Sequence, residues 1–175
     1  MMGATQISKT DAEAFLAHCW WVQDCWCVYC SIRDRTPDPY FFKSKKGYVF
    51  WSTAAAFPGE RIKRHLVYVQ LVYTALQIGK LHDPDRMGKF TNLSIDFFMP
   101  HLNGQHMQML RNKLDGFYRF HIQEARNKII AHNDRDAYTK GRSFTIPDGC
   151  FETYMDGLKQ FACAVASQSG CSCTW

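Results

Sequence analysis

Arg126, Asn127 and His132 stand together in the run RNKIIAHND, which spans Arg126 to Asp134. An arginine supplies a permanent forked cation that complements a phosphate and its developing negative charge. A histidine exchanges a proton near neutral pH, and at a helix C-terminus the negative end of the helix dipole favours its protonated form. Asn127 adds a hydrogen bond, and Lys128 a further cation for RNA. Together these types suit metal-independent RNA cleavage, in which the 2′-hydroxyl attacks the adjacent phosphate. Arg126 and His132 are six residues apart, about a third of a turn around a helix and roughly 9 Å along it. They converge only if the helix distorts near His132, or if a second copy completes the site, because a twofold axis presents each group twice. A blander account fits the same positions: His132 a core histidine satisfied by a carbonyl, and Arg126 solvated or paired with Glu124 or Asp134.

Three other groupings carry weaker signals. Lys43, Lys45 and Lys46 lie beside Phe41, Phe42 and Tyr48, a combination that grips single-stranded RNA by charge and stacking but more often is solvated surface. His82, Asp83 and Asp85 suggest a metal site, yet a turn stabilised by Asp and Pro explains them better. Eight cysteines stand at 19, 25, 27, 30, 150, 163, 171 and 173. The first cluster lies in a helical stretch rather than in the paired turns of a zinc site, so reduced cysteines filling a core are expected, with no metal or cofactor. No cysteine has a context that marks it as a nucleophile.

The elements that must position Arg126 are helical. Thr10 and Glu13 form a capping-box pattern opening a helix from about Asp11 to about Arg33. A turn-rich stretch with Pro37, Pro39 and Gly47 follows, and Tyr48–Trp51 reads as a short strand or a helix lead-in. From Glu60 to Leu81, residues Leu66, Val69, Tyr73, Leu76 and Lys80 recur at three and four spacing, the signature of one amphipathic helix. An irregular connector, HDPDRMGKF, leads to a short helix with Thr91 or Asn92 as cap and Pro100 as stop. Gly104–His132 is the longest periodic run, with Leu110, Leu114, Phe117, His121, Ala125 and His132 on one side. The last helix, about Cys150–Ser167, sets Phe151, Tyr154, Leu158, Phe161 and Val165 on one stripe, and a tail from about 167 to 175 is expected to fray.

These elements fit one domain, residues 1–175, whose simplest packing is an all-α bundle of four to five helices with long irregular connectors. A 46% hydrophobic and 15% aromatic composition fills a substantial core and excludes a disordered chain. A formal net charge of +5 permits polyanion binding without demanding it. The N-terminal stretch carries Asp11 and Glu13 ahead of its apolar residues, unlike a secretory signal. Gln70 and Gln77 interrupt the most apolar helix, so no bilayer span is expected and a soluble, cytoplasmic protein is.

RNKIIAHND, preceded by a long amphipathic helix and by LHDPDRMGKFTNLSI, resembles the HEPN superfamily, especially its abortive-infection AbiU-like branch, over roughly Glu60 to Lys140. The hallmark is an Arg, usually followed by a polar residue, and then a His; Arg126, Asn127 and His132 match it. The resemblance implies a HEPN-like bundle that dimerises about the motif helix and forms a composite, metal-independent endoribonuclease site, often in a toxin or phage-defence effector. Arg126 would bind the phosphate, Asn127 support it, and His132 act as acid/base or phosphate ligand. Some members pair with a nucleotidyltransferase antitoxin that modifies a tyrosine two residues after the His; Asp134 occupies that position. Other HEPN domains are non-catalytic and bind nucleotides or partners only, which is the alternative reading for this chain.

Overall fold

A computed structural model describes residues 7–34, 48–49, 61–127, 145–146 and 149–175. The chain is an all-α bundle with two small antiparallel pairings. Helix α1 is Lys9–Asp34 and α2 is Arg61–Leu81. After a hairpin come a single turn, α3 (Ile95–Phe98), and α4 (Gln105–Phe117), which continues through a π-helical segment, Tyr118–Ile122, into α5 (Gln123–Ala125). Helix α6 is Cys150–Ser169. Strand β1 (Tyr48–Val49) pairs with β4 (Thr145–Ile146), and β2 (Arg86–Met87) with β3 (Phe90–Thr91). Among the described residues, no helix is long and apolar enough to cross a membrane.

Local signals placed the helices and tertiary contacts chose their faces. In α6 the expected stripe, Phe151, Tyr154, Leu158, Phe161 and Val165, is buried throughout. It packs on α1 and α4: Trp26 stacks on Phe151 with centroids 4.2 Å apart, and Phe117 lies 4.6 Å from Tyr154. Phe15 of α1 meets Phe98 of α3 at 4.6 Å and Phe161 at 6.0 Å, so the short α3 turn closes one end of the core. Each such aromatic contributes about 1.5–3 kcal/mol by leaving water.

Helix α2 corrects the expected face. Leu66, Val69 and Tyr73 are exposed, as is Lys80, whereas Leu71, Thr74, Ala75, Gln77, Ile78 and Leu81 are buried. Apolar residues occur on both sides of this helix, so periodicity alone does not choose between them. The chosen side has small and hydrogen-bonding groups that let α1 come close. Thr74 Oγ1 donates to the Gln70 carbonyl at 2.8 Å, and Gln70 Nε2 donates to the Cys25 carbonyl of α1 at 3.0 Å. The glutamines that interrupt the apolar run therefore face a neighbour rather than solvent.

Other expectations are refined. The α1 cap is Ser8, whose Oγ accepts from Asp11 N at 3.5 Å, one turn fragment before Thr10. Ser94, not Thr91 or Asn92, caps α3, and Pro100 continues the chain into a 3₁₀ turn, Met99–His101, instead of stopping it. The connector HDPDRMGKF holds the β2–β3 hairpin, with Gly88 at φ 61° in its two-residue turn, the conformation that glycine adopts without strain. The π-helical segment inserts an extra residue into the turn, so Tyr118 and Ile122 face the core and His121 is only half-buried. The tail is tied down: Cys171 N donates back to Ala166 O at 2.9 Å past Gly170 (φ 70°), and Cys173 is disulfide-bonded to Cys163. That bond corrects the expectation of uniformly reduced cysteines; Cys19 and Cys25 are buried thiols as expected, whereas Cys27 is exposed.

Candidate functional site

Arg126 leaves the π-distorted end of the long helix and reaches the end of α2. Its Nη1 donates to Asp83 Oδ1 at 2.9 Å and to Tyr118 OH at 3.1 Å. Asp83 is set in a turn fixed by His82 N to Gly79 O at 3.1 Å and Asp83 N to Lys80 O at 3.3 Å. Gly79, one turn before, is the floor: a Cβ there would lie 2.8 Å from Arg126 Cδ. A Cβ there would force the Arg126 side chain to shift. Burial by itself would weaken the guanidinium's hold on its proton, but the hydrogen bonds to Asp83 and Tyr118 and the charge of Asp83 outweigh it. The result is a fully charged, oriented cation whose side chain remains 24% exposed.

Tyr118 is itself held by a second polar layer. The His82 ring lies parallel to it, 2° between planes and 4.6 Å between centroids. His82 Nδ1 is 3.1 Å from Asp115 Oδ1 and its Nε2 is 3.1 Å from Tyr154 OH. A carboxylate only accepts, so Nδ1 carries the proton and donates to Asp115. Tyr154, fully buried, is pushed well up by desolvation and keeps its hydroxyl proton, with its oxygen 3.1 Å from His82 Nε2. Burial alone would raise the Asp115 carboxyl; the hydrogen bond from His82, then the charges of His82, Arg111 and Arg119, outweigh burial and hold it below the usual carboxylate range. Arg111 extends the chain of partners, 3.5 Å from Asp115 and 2.6 Å from Asp96. His82, with its side chain 2% exposed, is thus fully satisfied and acts as a wedge that orients Tyr118.

The expected site residues divide. Arg126 stands at the centre of this network, paired with Asp83, while Asp134 lies outside the described residues. Asn127 is exposed, and its side chain makes no hydrogen bond with the described residues. Lys128, His132, Lys43, Lys45 and Lys46 lie outside the described residues, as does the question of whether Arg126 and His132 converge. A helix distortion does occur, but it begins at Tyr118, before Arg126, and the π register returns at Arg126 and Asn127. Among the described residues no group of His, Cys, Asp or Glu side chains could hold a metal.

Asp83, Tyr118 and Gly79 were not legible as site residues. Asp83 reads as a turn residue and does form a turn; its second task depends on a partner 43 positions away. A signal for it existed in the HDPD run directly after a helix, where an unpaired carboxylate and an imidazole emerge from one turn. Comparison of the chain with models of protein families, with curated proteins and with solved structures found no match.

Proposed function

We propose that this chain is a metal-independent endoribonuclease of the HEPN type, acting as a toxin or phage-defence effector. The observation that carries the reading is Arg126: a charged guanidinium held by Asp83 and Tyr118 over Gly79, on a side chain that is partly exposed. Such preorganisation is what stabilises charge developing on a phosphoryl group. His132 takes the proton from the 2′-hydroxyl as the O2′–P bond forms. A protonated His132 from the second copy gives its proton to the departing 5′-oxygen as the P–O5′ bond breaks. The products are a 2′,3′-cyclic phosphate and a 5′-hydroxyl. A homodimer about the motif helix supplies the paired groups, with Asn127 and Lys128 beside the strand.

The purified protein should cleave single-stranded RNA in EDTA and leave cyclic-phosphate ends. Arg126→Ala and His132→Ala should each lower the rate by at least 10²-fold with circular dichroism unchanged. Intact RNA over a broad substrate panel would instead favour a non-catalytic helical module that binds nucleotides or a partner. That second reading draws on the Arg126–Asp83 ion pair, which neutralises the cation within the protomer.

A further inference from the structure

Between α4, with its π-helical continuation, and the first half of α6 lies a cleft of about 400 Å³. Its floor is apolar and buried, made by Leu114, Phe117 and Tyr154. Tyr154 is shared with the Arg126 network: its hydroxyl oxygen is 3.1 Å from His82 Nε2, and the His82 ring stacks on Tyr118.

Two residues lining this cleft run against the stability of the fold. Gly116 lies inside the long helical run, where glycine is less stable than alanine. It is not among the glycines with positive φ, and a Cβ there would meet nothing within 4 Å. Neither the backbone nor the packing calls for glycine, and what the missing side chain leaves is room in the cleft. Phe120, one turn further on, is 84% exposed, the most of any large apolar side chain described. It stands in the middle of the π-helical segment, a distortion that is frequent at functional sites. Unfavourable local choices that converge on one place are the mark of a site rather than of a core. A free ring beside an apolar floor fits a flat ring, and the cleft has the size of a small-ligand pocket. Lys113, exposed and one turn before Gly116, also lines the cleft, and no lining residue is a carboxylate. A flat ring joined to an anion is the chemistry of a nucleotide.

We propose that this cleft is a nucleobase subsite, in which a base of single-stranded RNA enters over the apolar floor and stacks on Phe120, with Lys113 taking an adjoining phosphate. The inference rests on the RNA reading above and names where the strand is held away from Arg126, which lies six residues and roughly 9 Å further along the helix. Phe120 is a binding residue and touches no reacting atom.

Fluorescence anisotropy with a labelled single-stranded RNA tests it, in a His132→Ala background so that strands stay whole. Phe120→Ala should weaken binding by about tenfold or more, the worth of one stacked base. Phe120→Leu keeps apolar bulk without a ring face and should lose about as much, whereas Phe120→Tyr should bind within about twofold of its parent. Gly116→Leu fills the cleft and should also weaken RNA by about tenfold, while melting no lower than its parent because leucine is the better helix former. Lys113→Met should reduce the slope of log K against log salt by about 0.7, one single-strand phosphate, and Phe120→Ala should leave that slope alone. Circular dichroism confirms that each variant is folded. Unchanged affinity in folded Phe120→Ala or Gly116→Leu, full affinity in Phe120→Leu, an unchanged salt slope in Lys113→Met, or no RNA binding at all overturns the proposal. So does a Phe120→Ala variant that changes oligomeric state by light scattering with RNA affinity intact, which would assign the cleft to a protein partner. Wild-type cleavage is a separate readout: Phe120-dependent RNA binding without cleavage keeps the subsite and removes the nuclease, and cleavage with RNA affinity indifferent to Phe120 and Gly116 does the reverse.

Discussion

Gly79→Ala tests whether Arg126 is seated as described. The three atoms nearest a Cβ at this position all belong to Arg126: Cδ at 2.8 Å, Nε at 2.9 Å and Cζ at 3.1 Å. Ordinary contact begins near 3.4 Å, so Cδ must retreat by about 0.6 Å, the difference between the two. A retreat of that size carries the Tyr118 hydrogen bond, already 3.1 Å long, beyond useful range. Two stability effects oppose each other. Alanine is the better helix former by about 0.8–1 kcal/mol, and loosening a partly exposed Arg–Asp pair costs about 1 kcal/mol. The variant should therefore melt within a few degrees of wild type. RNA cleavage should fall by about 10²-fold, the cost of a misplacement approaching 1 Å. A thermodynamic cycle by urea unfolding reads the same contact without activity: in the Arg126→Ala background the substitution should stabilise by about 0.8–1 kcal/mol, giving a coupling of about 1 kcal/mol. Equal stabilisation in both backgrounds, with full cleavage by Gly79→Ala, would refute the seating of the guanidinium on this glycine.

Two further outcomes follow from the polar network and the tail. Because Asp115 is held below the unfolded carboxylate value of about 3.9, its ionised form stabilises the fold above about pH 4, and that contribution disappears as pH falls through the depressed folded value. Asp115→Asn should accordingly flatten the acid limb of urea-unfolding stability below about pH 4; an unaltered limb would contradict the His82–Asp115 assignment. The Cys163–Cys173 bond closes a loop with a sequence separation of 10, for which chain entropy gives about 2.7 kcal/mol. Cys173→Ser or reduction should lose up to that amount by denaturant titration, and an unchanged midpoint would show that the tail is held by packing alone.

Where sequence and structure part company, the cause is distance along the chain. The spans of α2 and α6, and most of α1, were readable because a helical face repeats every three or four residues and its ends carry local punctuation, as at Gly149 and Gly170. The continuation of the long helix was readable as far as the described residues reach, at Asn127, but not in phase. Its π-helical segment turns Tyr118 and Ile122 to the core where uniform periodicity placed His121, and no local residue announces the extra hydrogen-bond register. The exposed stripe Leu66, Val69 and Tyr73 was misassigned because α2 is apolar on two sides, and only the approach of α1 selects one.

For the candidate site, the sequence alone determined which chemistry was present: Arg126 is a fixed cation whatever surrounds it, since its charge survives any environment in this fold. Tertiary structure decided what that cation does. It brought Asp83 across 43 residues to pair with it, set Gly79 beneath it, and raised Tyr118 against it on the face of His82. Side-chain type is encoded residue by residue, whereas orientation, burial and partner depend on which distant elements pack together.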